Sequence, residues 1–211
     1  MKIMRGLSIA AMIVIYAVLV HHVNASGQAS ILGAILALAP IFLLIIALAW
    51  KGTSRVAGIS LLLISCIVSW LAWPFVRQHT GLIFWTQDIG LMLVLLMTFG
   101  RTLQQDRKSL CVHFAEIING EALPPEHERY AHKVTVAWVA FFAMMIITST
   151  LLFFLAPLAT WSIFVNFLTL PLVALMFIVE FMVRRRVLAD LPSGHILDAV
   201  RAYLNNSARV Q

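Results

Sequence analysis

Apolar and polar residues separate along the chain into six long apolar runs, at approximately 6–23, 31–50, 56–76, 81–99, 134–156 and 159–183. A bilayer core about 30 Å thick is crossed by roughly 20 apolar residues in α-helical form, so each run predicts a transmembrane helix. The breaks between the first four runs are short, which predicts antiparallel neighbours. The four earlier runs and the two later ones flank a polar insert, and this unequal division argues against the inverted repeats of many transporters. The first run follows Met1-Lys2-Ile3-Met4-Arg5, which is like the start of a signal peptide, and small residues at 25–27 would suit cleavage. Its length and the immediate onset of a second run favour a retained span.

The insert, residues 100–133, has its own period. Leu103, Leu110, Phe114, Ile117 and Ile118 recur at helical spacing, with Gln104, Gln105, Asp106, Arg107, Lys108 and Glu116 opposite. That pattern predicts an amphipathic helix stopped by Gly120. A new helix is expected from about Pro125, because proline suits a first turn and Glu126 suits the positive end of the helix dipole. From Pro125 to Leu155 is on the order of 46 Å at 1.5 Å per residue, so its first turns should project beyond the bilayer. In the tail, residues 184–211, Ser193 can cap a short helix with Ile196, Leu197, Val200, Tyr203 and Leu204 on one face. Both amphipathic segments are expected at the inner membrane surface, against lipid, against the protein's own helix ends or against a partner.

Composition and charge sharpen this picture. AVILMFWYC make up 62% of the 211 residues and charged residues only 11%, against about 45–50% and about 25% in soluble domains. This excludes an ordinary soluble enzyme and a nucleic-acid-binding tail protein. The expected fold is all-α: one integral membrane domain, residues 1–211, with six transmembrane helices and short cytosolic amphipathic helices. With a cytoplasmic N-terminus, fourteen of the fifteen Lys and Arg fall on the inner side and only Arg77 on the outer. That asymmetry predicts both termini in the cytoplasm. Cys66 lies in an apolar run and Cys111 in the insert, so no disulfide is expected.

Few residues invite chemistry. Asp88 should lie roughly 10 Å inside the fourth span, where an acid is costly and is a functional candidate by default. Arg77 is its expected partner, and a structural pair and a proton relay are both open. Glu180 precedes Arg184 by four residues, a favourable helical pair. Arg184, Arg185 and Arg186 set topology and suit anionic head groups or an acyl phosphate, while Arg107 and Lys108 are further lipid or partner contacts. Asn166 is expected to hydrogen-bond a neighbouring helix, and Pro40 and Pro171 to bend their spans. His21, His22 and His79 share the outer side without the spacing of a metal site. No catalytic set, metal site or cofactor motif is present, so no catalytic residue and no cofactor is assigned.

The residues Leu123-Pro124-Pro125, Tyr130, Lys133-Val134-Thr135, Trp138, Phe141-Phe142, Trp161, Phe164, Asn166, Glu180 and Val183-Arg184-Arg185 carry a resemblance. It is to uncharacterised inner-membrane proteins of bacterial aryl-polyene and xanthomonadin-type gene clusters. More distantly, the Leu-Pro, aliphatic-Trp and Phe-Phe spacing is similar to the intracellular septation protein A family. The resemblance covers roughly residues 100–186 and implies a bacterial inner-membrane protein near lipid or polyene assembly. Some members carry a ketosynthase label, but neither Cys66 nor Cys111 has the setting such a nucleophile needs.

Three functions are therefore in view. The first is a non-catalytic adaptor or scaffold whose cytosolic face, residues 101–133 and 184–211, meets membrane lipids and envelope-lipid or polyene-assembly proteins. The second is a small lipid transporter or flippase, lined by Asp88 and Asn166 and assembled as a homo-oligomer. The third, a membrane-bound acyl-group enzyme, lacks its nucleophile.

Overall fold

A computed structural model describes residues 2–27, 30–51, 55–104, 108–120 and 123–187. Among these residues the regular structure is helical: α1 (Lys2–Ser26), α2 (Ile31–Lys51), α3 (Arg55–Leu71), α4 (Trp73–Gln78), α5 (Thr80–Arg101), α6 (Leu110–Asn119), α7 (Pro125–Leu155), α8 (Leu158–Ile163), a π turn (Phe164–Leu168) and α9 (Thr169–Val187). Five helical segments are long and apolar enough to cross a membrane, and α3 is a shorter apolar helix. Large apolar side chains stand open over their surfaces: Leu43 is 67% exposed, Ile64 58% and Leu170 75%. Water would not tolerate apolar area on that scale, whereas lipid covers it at no cost. The chain is a multi-pass helical membrane protein.

Two compact units divide the chain. The first takes Met1–Leu91 and Ile146–Pro171. Its core gathers Val20, Val23, Leu36, Ala37, Phe84 and Trp161. Small residues let α1 and α2 approach: a Cβ on Gly33 would stand 2.8 Å from Val23 Cγ1, and Ala34 and Ala37 are fully buried. Pro40 sits inside α2 and cannot supply the N–H that would bond the Leu36 carbonyl. The Tyr16 hydroxyl of α1 donates to that carbonyl at 3.1 Å. Beside it, Gln87 Nε2 of α5 donates to the Ala37 carbonyl at 2.6 Å. Side chains of neighbouring helices thus occupy the stretch of backbone that the proline opens.

The third apolar run differs from the single helix expected over 56–76. It is broken at Ala72 into α3 and α4, because Pro74 has no N–H for the Trp70 carbonyl and fits only in the first turn of a new helix. The last run is also interrupted, by the π turn, and Pro171 falls in the first turn of α9 just beyond it.

The second unit takes Met92–Met145 and Leu172–Gln211. Phe99, Phe141, Phe142 and Phe177 surround Trp138, with ring centroids 4.7–6.1 Å from the indole. The amphipathic helix of the insert begins at Leu110 rather than near Leu103, which lies in the turn after α5. Its stop is at Gly120, as expected from the sequence, in left-handed conformation (φ 74°) with its N–H on the Glu116 carbonyl at 2.8 Å. The helix expected after Ser193 lies outside the described residues.

Candidate functional site

The polar groups of the first unit form two adjoining chains. In one, Trp161 Nε1 donates to Ser149 Oγ at 3.0 Å, and Ser149 Oγ donates to Asp88 Oδ2 at 2.6 Å. A serine hydroxyl has one proton and two lone pairs, so Ser149 both accepts from the indole and donates to the acid. Trp161 is fully buried and Ser149 nearly so. The carboxylate therefore takes Ser149 of α7 as its partner, and among the described residues no ion pair joins it to Arg77. The reason is one of level: Arg77 lies in the last turn of α4, whereas Asp88 lies eight residues into α5, about 12 Å along its axis.

The second chain centres on Ser162, which is fully buried. Asn166 Nδ2, in the π turn, donates to the Ser162 carbonyl at 2.9 Å and to its Oγ at 3.1 Å. Asn24 Nδ2 of α1 reaches the same Oγ at 3.4 Å. Asn166 thus bonds back onto its own helix rather than directly across to another, and Ser162 passes the contact to α1. Asn24 Oδ1 has no partner, and neither do Arg77 Nε and His21 Nδ1. A cavity of about 90 Å3 lies beside Asn24, lined also by Val23, Gly27, Gln78, Thr80, Gly81 and Leu158.

His21 and His79 are engaged separately, His21 edge-on to Phe167 at 5.6 Å and His79 against Phe75 at 4.5 Å.

In the second unit, Glu180 Oε1 stands 3.7 Å from Arg184 Nε, the helical pair expected from the sequence. The Glu180 carbonyl also accepts the Tyr130 hydroxyl at 3.2 Å. The guanidinium groups of Arg184 and Arg185 both lie over the Phe181 ring, at 5.7 and 5.8 Å, and Arg186 is exposed. Lys108 Nζ pairs with Glu116 Oε1 at 2.6 Å, and this carboxylate holds the ammonium above the ordinary lysine range. Arg107 lies outside the described residues.

The first-turn N–H groups of α6 take caps from elsewhere in the unit. Leu110 N donates to Thr102 Oγ1 at 3.0 Å and Cys111 N to Thr135 Oγ1 at 3.2 Å. Ser109, at the cap position, makes no side-chain cap. On the opposite edge Phe114, Ile117 and Ile118 are 55%, 61% and 51% exposed. α6 is thus fastened by its backbone and presents apolar side chains outward.

Compared with known proteins, the chain matches no family model, no curated protein and no solved structure.

Sequence reasoning missed Asn24, Ser149, Trp161 and Ser162 as members of the polar chains. A signal was present in Thr148-Ser149-Thr150, a polar triplet inside an apolar span, since hydroxyl residues there commonly bond a neighbouring helix.

Proposed function

We propose that the chain is a bacterial inner-membrane adaptor, without catalysis of its own, in cell-envelope lipid or polyene assembly. The observation that carries the reading is α6: capped through Thr102 and Thr135, it holds Phe114, Ile117 and Ile118 outward on a fixed helix. A helix with an apolar edge and i, i+3, i+4 anchors is a recurring mode of partner recognition. The concentration of Lys and Arg on the side assigned to the cytosol supports the same reading, as does the resemblance over residues 100–186. On this reading Arg184, Arg185 and Arg186 settle the inner end of α9 among anionic head groups.

Purification from native membranes with lipids retained, followed by identification of bound proteins and lipids, tests it. Envelope-lipid or polyene-assembly proteins should co-purify with the wild type. They should be lost on Ile117→Glu or on combined Arg107→Gln and Lys108→Gln. Retention of the same partners by both variants rejects the adaptor.

A second reading, a small lipid transporter or flippase, is favoured by one feature of the first unit. Two of its spans are interrupted, at Ala72 and at the π turn carrying Asn166, and interrupted spans bearing polar residues are how many transporters build their sites. A tightly held lipid between the spans, with no protein partner, would favour it.

A further inference from the structure

We infer that the cavity at the end of α1 receives the donor-bearing amine tip of a phospholipid head group. The cavity measures about 90 Å3, room for a few water molecules or for one short polar group. Its wall holds Asn24, only 2% exposed, whose Oδ1 has no hydrogen-bond partner. A buried acceptor left unmatched is costly, so the site calls for a donor. The wall also contains Gly27, in left-handed conformation (φ 62°) just past the last residue of α1. The Val23 carbonyl already accepts the Ser26 hydroxyl at 2.8 Å, but the partial negative charge at the end of the helix still favours a donor or a cation. Gln78 and Thr80 add neutral polar groups and no fixed charge.

Water alone would satisfy Oδ1. A phospholipid explains more, because the neighbouring residues are unmatched in the complementary sense. Arg77 directly precedes Gln78, and its buried Nε has no acceptor. Among the described residues it makes no ion pair. It is also the one Lys or Arg that the charge count puts on this side of the membrane. His21 Nδ1, one turn before Asn24 on α1, is likewise without a partner. A buried guanidinium nitrogen without an acceptor, one residue along the chain from the cavity wall, suits a phosphate that carries a short donor-bearing group. The ends of the first and fourth apolar runs meet the head-group layer at this level, so the lipid is the source to which the site is assigned. The inference concerns the first unit alone and stands independently of the adaptor reading.

Phosphatidylethanolamine, its N-methyl and N,N-dimethyl forms and phosphatidylcholine share phosphate and tails but lose one N–H with each methyl. With the purified full chain in vesicles of each lipid, extraction and native mass spectrometry read the lipid retained. Retention should fall about tenfold across the series, the scale of one hydrogen bond. Asn24→Leu should bring phosphatidylethanolamine down to the phosphatidylcholine level. Thr80→Val, which changes one hydroxyl and little shape, should lower it several-fold and serves if Asn24→Leu does not fold. A tenfold excess of soluble phosphoethanolamine should leave the lipid in place. Equal retention of phosphatidylethanolamine and phosphatidylcholine, or wild-type retention by the folded variants, means that water alone fills the cavity and overturns the proposal. Displacement by soluble phosphoethanolamine overturns the lipid as its source.

Discussion

At the scale of single residues, most of the specific chemistry in the first unit is repair of backbone or matching of buried polar groups. Pro40 removes the donor for Leu36, and Tyr16 supplies another at 3.1 Å. Tyr16→Phe should therefore destabilise the protein by about 0.6–1.7 kcal/mol, the range of interhelical hydrogen bonds in membrane proteins. Pro40→Ala restores the backbone N–H, so in that background Tyr16→Phe should cost little. Unfolding in mixed micelles measures this double-mutant cycle, and additive effects would show that Tyr16 does not serve the proline. Asp88 allows a parallel comparison. Asp88→Asn keeps an acceptor for the Ser149 hydroxyl, whereas Asp88→Leu leaves that hydroxyl without one. Leu should cost about 1 kcal/mol more than Asn, measured in the same way, and equal stabilities would remove Ser149 as the partner. Pro40 and Asp88 stand out in the sequence, whereas Tyr16 does not. Their partners were not legible, because a hydrogen bond across 20 or 61 positions depends on helix rotation, which lipid-facing apolar residues leave nearly unmarked.

At the scale of elements, starts and stops were easiest to read where local chemistry decides them. Pro125 opens α7 and Gly120 closes α6, each through its own backbone preference. The start of α6 was not legible from Leu103. The apolar period continues through the turn, while Thr102 and Thr135, which terminate the free N–H groups, come from outside the helix. The break at Ala72 was hidden for a related reason, since an apolar run continues whether or not Pro74 divides it. The capping arrangement can be tested at Cys111, half-buried on α6. Burial pushes its thiol above the ordinary range, which lowers the reactive thiolate fraction at a given pH. In a Cys66→Ser background, alkylation of Cys111 at pH 8 should be slower than that of an exposed cysteine. Thr102→Val removes the cap on Leu110 without touching the Cys111 contact. It should speed alkylation about fivefold, the effect of about 1 kcal/mol of capping. An unchanged rate would show that Thr102 does not hold the first turn.

For the whole molecule, the membrane class was legible from periodicity and composition alone, because each span must satisfy its own backbone and shows apolar surface to lipid. Orientation rests on the distribution of Lys and Arg. Reporter fusions after Gln28, His79 and Pro157 should read periplasmic, and fusions near Gln105 and Asn206 cytoplasmic. A cytoplasmic signal after His79 would reverse the assignment of Arg77 to the outside and of α6 to the inside.

The 31 residues of α7 extend about 46 Å, some 16 Å more than a hydrocarbon layer of about 30 Å requires. Its opening turns contain Glu126, Glu128, Arg129 and Lys133, while Phe154 and Leu155 at its far end are exposed apolar side chains, so the surplus lies at the start of the helix. Thr135, ten residues from Pro125, stands about 15 Å along it, near the level where the hydrocarbon ends. Cys111 N is bonded to that same hydroxyl, so α6 is moored at a set depth. A thinner bilayer would therefore leave the apolar edge of α6 nearer to water, and a thicker one would bring it nearer to lipid.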